Sequence, residues 1–150
     1  MKKTILILAV LVATMAITAD VFAQGMGRGG GWGRNAQYQR MYDTKTIETL
    51  SGQVVEIATF NPIRGMGQGV HLQLKTDKET ISVHIGPKWF MDNQDVQIQK
   101  GDKITVKGSR ITFNDKPALI AAEIEKGDVV LILRDDNGFP VWAGWRRRTE

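Results

Sequence analysis

Beyond Lys45 the apolar side chains come in short runs rich in Val, Ile and Thr. Most of these runs alternate with polar residues, and Gly, Asp, Asn or Pro separates them. Alternation of period two turns one face of a segment to a core and the other to solvent, which is strand writing and not helix writing. Strands are expected near Thr49–Phe60, Val70–Thr76, Thr80–Ile85, Lys103–Ile111, Pro117–Ile124, Val129–Arg134 and Phe139–Trp142, with one helical turn over Lys88–Asn93 after Gly86-Pro87.

Two hairpins have a readable register. With Thr76-Asp77-Lys78-Glu79 as the loop, Val70 faces Ile85, Leu72 faces Val83 and Leu74 faces Ile81, so every apolar residue falls on one face. A slip by one residue would scatter them. The next hairpin turns around Asn114, with Ile104 opposite Ile124 and Val106 opposite Ala122.

Three segments point to a particular barrel. They are Gly52-Gln53-Val54-Val55 in a long first strand, Gly86-Pro87-Lys88-Trp89-Phe90-Met91 between the hairpins, and Lys100 to Gly108 opening the fourth strand. The chain resembles small exported bacterial OB-fold proteins over about residues 47 to 125. It is also similar, more weakly, to the domain of magnetosome-associated periplasmic proteins. The first resemblance implies an all-β, five-stranded Greek-key barrel with a short inter-hairpin helix. The second implies envelope metal or redox biology.

An extra C-terminal β-hairpin follows. Lys126-Gly127-Asp128 echoes Lys100-Gly101-Asp102 and launches a strand, and Asp136-Asn137-Gly138 suits a type I′ turn. Pro140 assigns the last strand to an edge, and Trp142 or Trp145 is expected to close an open end of the barrel. The domain plan is therefore a leader over residues 1–23, a flexible glycine-rich arm over 24–44, the barrel over 45–125, and a hairpin with a basic tail over 126–150.

Met1-Lys2-Lys3, an apolar run from Ile5 to Ile17 and Val21-Phe22-Ala23 read as a cleavable signal peptide, with cleavage before Gln24. The apolar run would span only about 20 Å as a helix, against a hydrocarbon core of roughly 30 Å. The expected location is thus the periplasm or the exterior, with no transmembrane anchor after cleavage. Loss of Lys2, Lys3 and Asp20 lowers the net charge from +4 to about +3, short of what a dedicated nucleic-acid binder carries. The absence of cysteine excludes disulfides, thiol catalysis, iron–sulfur clusters and Cys-x-x-Cys-His haem attachment. Trp32, Tyr38 and Tyr42 with Arg28, Arg34 and Arg40 offer a surface-binding arm, but the composition favours a solvated leader. Arg146-Arg147-Arg148 reads as a solvated terminal run.

The same register sets His71 opposite His84 on the polar outer face of the second and third strands, followed by Gln73 with Ser82. Directly opposed β-carbons lie about 4.5–5.5 Å apart, within reach of a shared transition-metal ion. Two imidazoles do not complete a closed site. Glu56, Asp92, Met66, Met91 or a second chain are the candidates to complete it. In the glycine-rich loop Asn61 to Gly69, Arg64 and Met66 are further ligand-binding candidates. That loop precedes a strand, so no phosphate-binding fingerprint fits. Trp89-Phe90-Met91 reads as a barrel floor in preference to a partner anchor. No serine has a nucleophile's constellation, with Ser82 assigned to the sheet face opposite His84. The carboxylates sit mostly in turns, so no catalytic residue is assigned.

The resulting expectation is a non-enzymatic periplasmic binding module for a transition metal or redox partner. An envelope protein-protein adaptor is the alternative. Single-stranded nucleic-acid binding ranks last, because the second and third strands carry no aromatic residue for stacking. Intact-mass analysis of the protein recovered from the envelope should show a chain beginning at Gln24.

Overall fold

A computed structural model describes residues 31–143. The leader, residues 24–30 of the arm, Trp145 and the arginine run at 146–148 lie outside the described residues. In chain order the elements are β1 (Ile47–Phe60), β2 (Gly69–Lys75), β3 (Thr80–Pro87), α1 (Lys88–Met91), β4 (Lys103–Phe113), β5 (Lys116–Lys126) and β6 (Val129–Ile132).

The long first strand serves two neighbours. Ile47 to Gln53 pair with β4 and Gln53 to Phe60 with β2, both antiparallel, and a register shift between Val54 and Glu56 bends the strand between the two ladders. The sheet order β3-β2-β1-β4-β5 closes on itself because β3 also pairs in parallel with β5, through Ser82 with Ala118, Val83 with Leu119 and His84 with Ile120. The result is the expected all-β, OB-fold-like barrel of five strands, with β6 added to the edge of β5.

Inward side chains such as Leu74, Val83, Val106 and Leu119 are fully buried, and Phe90 and Met91 of α1 seal one end of the barrel. The segment Trp89-Phe90-Met91 therefore contributes its second and third residues as a floor.

Both hairpin registers need adjustment. Leu72 does face Val83, Leu74 faces Ile81, and His71 faces His84, but a shift between Val70 and His71 pairs Val70 with Gly86 instead of Ile85. In the second hairpin Val106 pairs with Ile124, not Ala122, with a shift between Lys107 and Gly108. The cause is local packing: a β-carbon on Gly108 would lie 2.2 Å from the Ile120 carbonyl oxygen, so the strands approach there only because the residue is glycine. The two-residue turn of this hairpin is Asn114-Asp115, both with positive φ (49° and 62°), the signature expected instead at Asn137-Gly138. At that second turn only Gly138 is left-handed, and the Asp135 carboxylate accepts from the Asn137 and Phe139 amides.

Phe139–Trp142 is not a strand. Arg134 and Pro140 form one isolated bridge, and the chain then turns over residues 141–143. Pro140 has no amide hydrogen with which to extend a ladder. Trp142 packs on the outer face of β3 instead: it is buried against Phe90 and sits where a β-carbon on Gly86 would lie 2.9 Å from its ring.

The glycine-rich segment departs most from expectation. From residue 31 it is packed, not solvated, with Trp32 3% and Tyr38 1% exposed. Two large aromatic side chains bury enough area to order a stretch whose average composition is unfavourable. Trp32 Nε1 donates to the Gly67 carbonyl at 3.0 Å, and Trp142 Nε1 donates to the Trp32 carbonyl at 2.8 Å, clasping together the segments that flank the barrel. Truncating this clasp with Trp142→Ala should cost about 3–5 kcal/mol in urea unfolding, as for other buried large-to-small changes. Gly108→Val should be at least as damaging, because its clash is with backbone.

Candidate functional site

Alternation along β2 and β3 turns Leu72, Leu74, Ile81 and Val83 inward and His71, Gln73, Ser82 and His84 outward. On that outer face lies a cleft of about 430 Å³. Its walls are these four residues, Phe60 and Asn61 from the end of β1, and the β4–β5 hairpin from Phe113 to Ala118. The aromatic side chains missing from β2 and β3 are thus supplied by β1 and β4. Phe60 ends a strand in the sequence reading, whereas Phe113 lies beyond the expected end of the fourth strand at Ile111, and only barrel closure brings both to the histidines.

The expected open polar platform is partly roofed. His84 is only 2% exposed, because β3 has neighbours on both edges and the N-terminal segment lies across it. Tyr38 Oη lies 2.8 Å from His84 Nδ1, and Ser82 Oγ lies 3.1 Å from His71 Nδ1. Phe60 sits against both imidazoles, with ring centres 4.8 Å from His71 and 4.6 Å from His84, while Phe113 meets His84 edge-on at 4.8 Å. The two imidazole centres are 6.3 Å apart. Neither Nε2 has a hydrogen-bond partner among the described residues.

Burial is the main force on the protonation of both rings. It pushes His84 down to about 3, with the charges of His71 and Arg134 adding to the effect. His71 is also lowered by burial, partly offset by the Glu56 carboxylate. Burial raises the Tyr38 phenol well above its ordinary value, so it stays protonated. Behind this pair lies Arg134, 3% exposed, stacked on Trp142 with 4.9 Å from guanidinium carbon to ring centre. Its Nη1 donates to the Ala121 carbonyl and its Nε has no partner. Burial lowers it to about 10, which leaves it charged at neutral pH.

The other sequence candidates separate from the cleft. Met66 is buried beside Gly31, with its carbonyl accepting from Asn61 Nδ2, and Arg64 is exposed; neither lines the cleft. Met91 belongs to the barrel floor, and Asp92 is engaged by Lys88 at 2.5 Å. Among the described residues no three His, Asp or Glu side chains converge to hold a metal ion. Ser82 does not lie on the face opposite His84: two residues away along β3, it shares the side of the sheet with both imidazoles and bonds to His71.

The site is thus a roofed, aromatic-lined cleft on the outer face of a closed OB-like barrel. Residues 46–131, more than half of the chain, match the family model of the MamS/MamX magnetosome protein family, and the chain belongs to that family. None of the curated proteins compared matches it. Among solved structures, a chain of the S. pombe Stn1-Ten1 complex is similar at a TM-score of 0.40 and 19% identity, covering 68% of this chain and 67% of that one. So distant a likeness bears on nothing functional. No helix of the described residues is long and apolar enough to cross a membrane.

His84 also sets a pH dependence. Its folded value lies below the ordinary 6.5, so the unfolded chain takes up the proton first. The stability it confers is complete above about pH 6.5 and drains away as the pH falls toward 3, at about 1 kcal/mol per pH unit. Urea unfolding between pH 7 and 4 should therefore show a steeper acid loss for the native protein than for His84→Gln. Tyr38→Phe, which removes the partner of a buried ring nitrogen, should cost about 1–3 kcal/mol at pH 7.

Proposed function

We propose that this protein is a non-enzymatic binding module of the bacterial envelope, and that its outer-face cleft takes a transition-metal ion through His71 and His84. The carrying observation is that each imidazole is anchored through Nδ1 by a hydroxyl, Tyr38 Oη or Ser82 Oγ, which leaves Nε2 as the available ring nitrogen. Metal-ligating histidines are oriented in this way by a partner on the second nitrogen. Coordination also requires neutral imidazole, and burial keeps both rings in that form. Metal at His84 selects the tautomer in which Nδ1–H donates to the phenol oxygen.

Two protein nitrogens leave the remaining coordination positions to solvent or a partner, as suits an ion that is handed on. The sequence signal for export and the magnetosome family support a periplasmic setting for such handling. Family membership favours the same non-enzymatic reading.

The adaptor reading has its own observation. Edge strand β6 leaves Val129, Val130 and Ile132 43–49% exposed, a surface through which another protein can pair.

Metal titration followed by imidazole NMR separates the two. A metal module shows Nε2 and Hε1 shifts on both His71 and His84, lost in His71→Ala and His84→Ala. An adaptor keeps its envelope partners in those variants and loses them in Val130→Lys with Ile132→Lys. If no ion among copper, silver, nickel, zinc and iron moves either imidazole, the metal reading is wrong.

A further inference from the structure

We infer that the cleft is shaped for a two-coordinate, monovalent, soft ion, Cu(I) by its chemistry, held between His71 and His84 beneath the ring of Phe60. This rests on the metal reading above and narrows it. A metal–nitrogen bond of about 2 Å, with each ring centre about 1.1 Å behind its nitrogen, separates two imidazole centres by about 6.2 Å when the nitrogens oppose each other across the ion. At the tetrahedral angle the separation falls to about 5 Å. The observed 6.3 Å matches the span of the opposed arrangement, whereas a shared tetrahedral ion would require the two rings to turn toward each other by more than about 1 Å.

Phe60 supplies the second constraint. Its distances of 4.8 and 4.6 Å to imidazoles 6.3 Å apart put the midpoint between them about 3.5 Å from its ring centre, inside the roughly 6 Å over which an aromatic face attracts a cation. Ring hydrogens extend about 2.5 Å from the centre, so at this range only the face leaves room for an ion. A phenyl face there attracts charge and blocks the addition of further ligands on that side.

Charge makes the third. No carboxylate lines the cleft, Lys116 stands on its rim, and the Arg134 guanidinium acts on His84 from behind. Only Glu56, acting on His71, favours positive charge. Desolvation cost grows steeply with ionic charge, so a divalent ion with no anionic ligand is penalised far more than a monovalent one. Closed-shell Cu(I) accepts two neutral nitrogens, whereas structural zinc takes four ligands.

The test uses the full exported chain with Ag(I) as an air-stable monovalent probe, anaerobic Cu(I), and Zn(II) and Ni(II) for comparison. Ag(I) and Cu(I) should bind one to one, shift both imidazoles and the Phe60 ring protons, and outcompete the divalent ions at least tenfold. X-ray absorption of the Cu(I) complex should show two nitrogen neighbours. Phe60→Leu should weaken Ag(I) about tenfold while keeping the His71 and His84 response; if that variant does not fold, the coordination number decides alone. Binding of Zn(II) or Ni(II) through both imidazoles as tightly as Ag(I), or three or four ligands around Cu(I), overturns the inference and leaves the broader metal reading standing. Imidazoles that ignore all four ions remove this inference, and if they ignore iron as well the broader metal reading falls with it.

Discussion

The parallel pairing of β3 with β5 is the constraint on which the rest of this molecule depends. It turns a curled antiparallel sheet into a closed barrel and gives β3 a neighbour on each edge. A strand so placed cannot shift register without breaking two ladders. His84 pairs with His71 on one side and Ile120 on the other, and its imidazole is held where Phe60, Phe113 and Tyr38 converge. The cleft is thus a product of closure, made from strand ends that are far apart along the chain.

Closure creates a second need, which the segments flanking the barrel meet. The outer face of β3 carries Gly86 and His84 and would lie open without the indole of Trp142 and the phenol of Tyr38. Trp32 links these two covers, donating to the Gly67 carbonyl and accepting from Trp142 Nε1. Arg134 is buried in this layer with no carboxylate paired to it among the described residues, stabilised by the faces of Trp142 and Tyr42 and one carbonyl. A buried guanidinium of this kind is costly, and its position behind His84 makes the cleft less hospitable to positive charge. The packing of Trp32, Tyr38 and Trp142 and the burial of the His84 imidazole are therefore one coupled arrangement.

Much of this was readable from residue order. Period-two alternation located all six strands, and the facing of Leu72 with Val83 and Leu74 with Ile81 placed His71 opposite His84, because a hairpin register is a local property fixed by its turn and its apolar face. The errors lie where local rules meet distant packing. The shift at Gly108 answers to the Ile120 carbonyl on a neighbouring strand. The ordered glycine-rich segment answers to the barrel surface that receives Trp32 and Tyr38.

Residue order alone specified the positions of the strands along the chain, the histidine pair and the absence of thiol chemistry, since each follows from neighbours along the chain or from composition. Only tertiary structure decided that the pair lies buried under Phe60 and Tyr38, that Met66 and Arg64 stand apart from it, and that Arg134 lies behind it. These are contacts between residues remote in sequence, and the energies that fix them are burial and electrostatics in three dimensions, which no local pattern encodes.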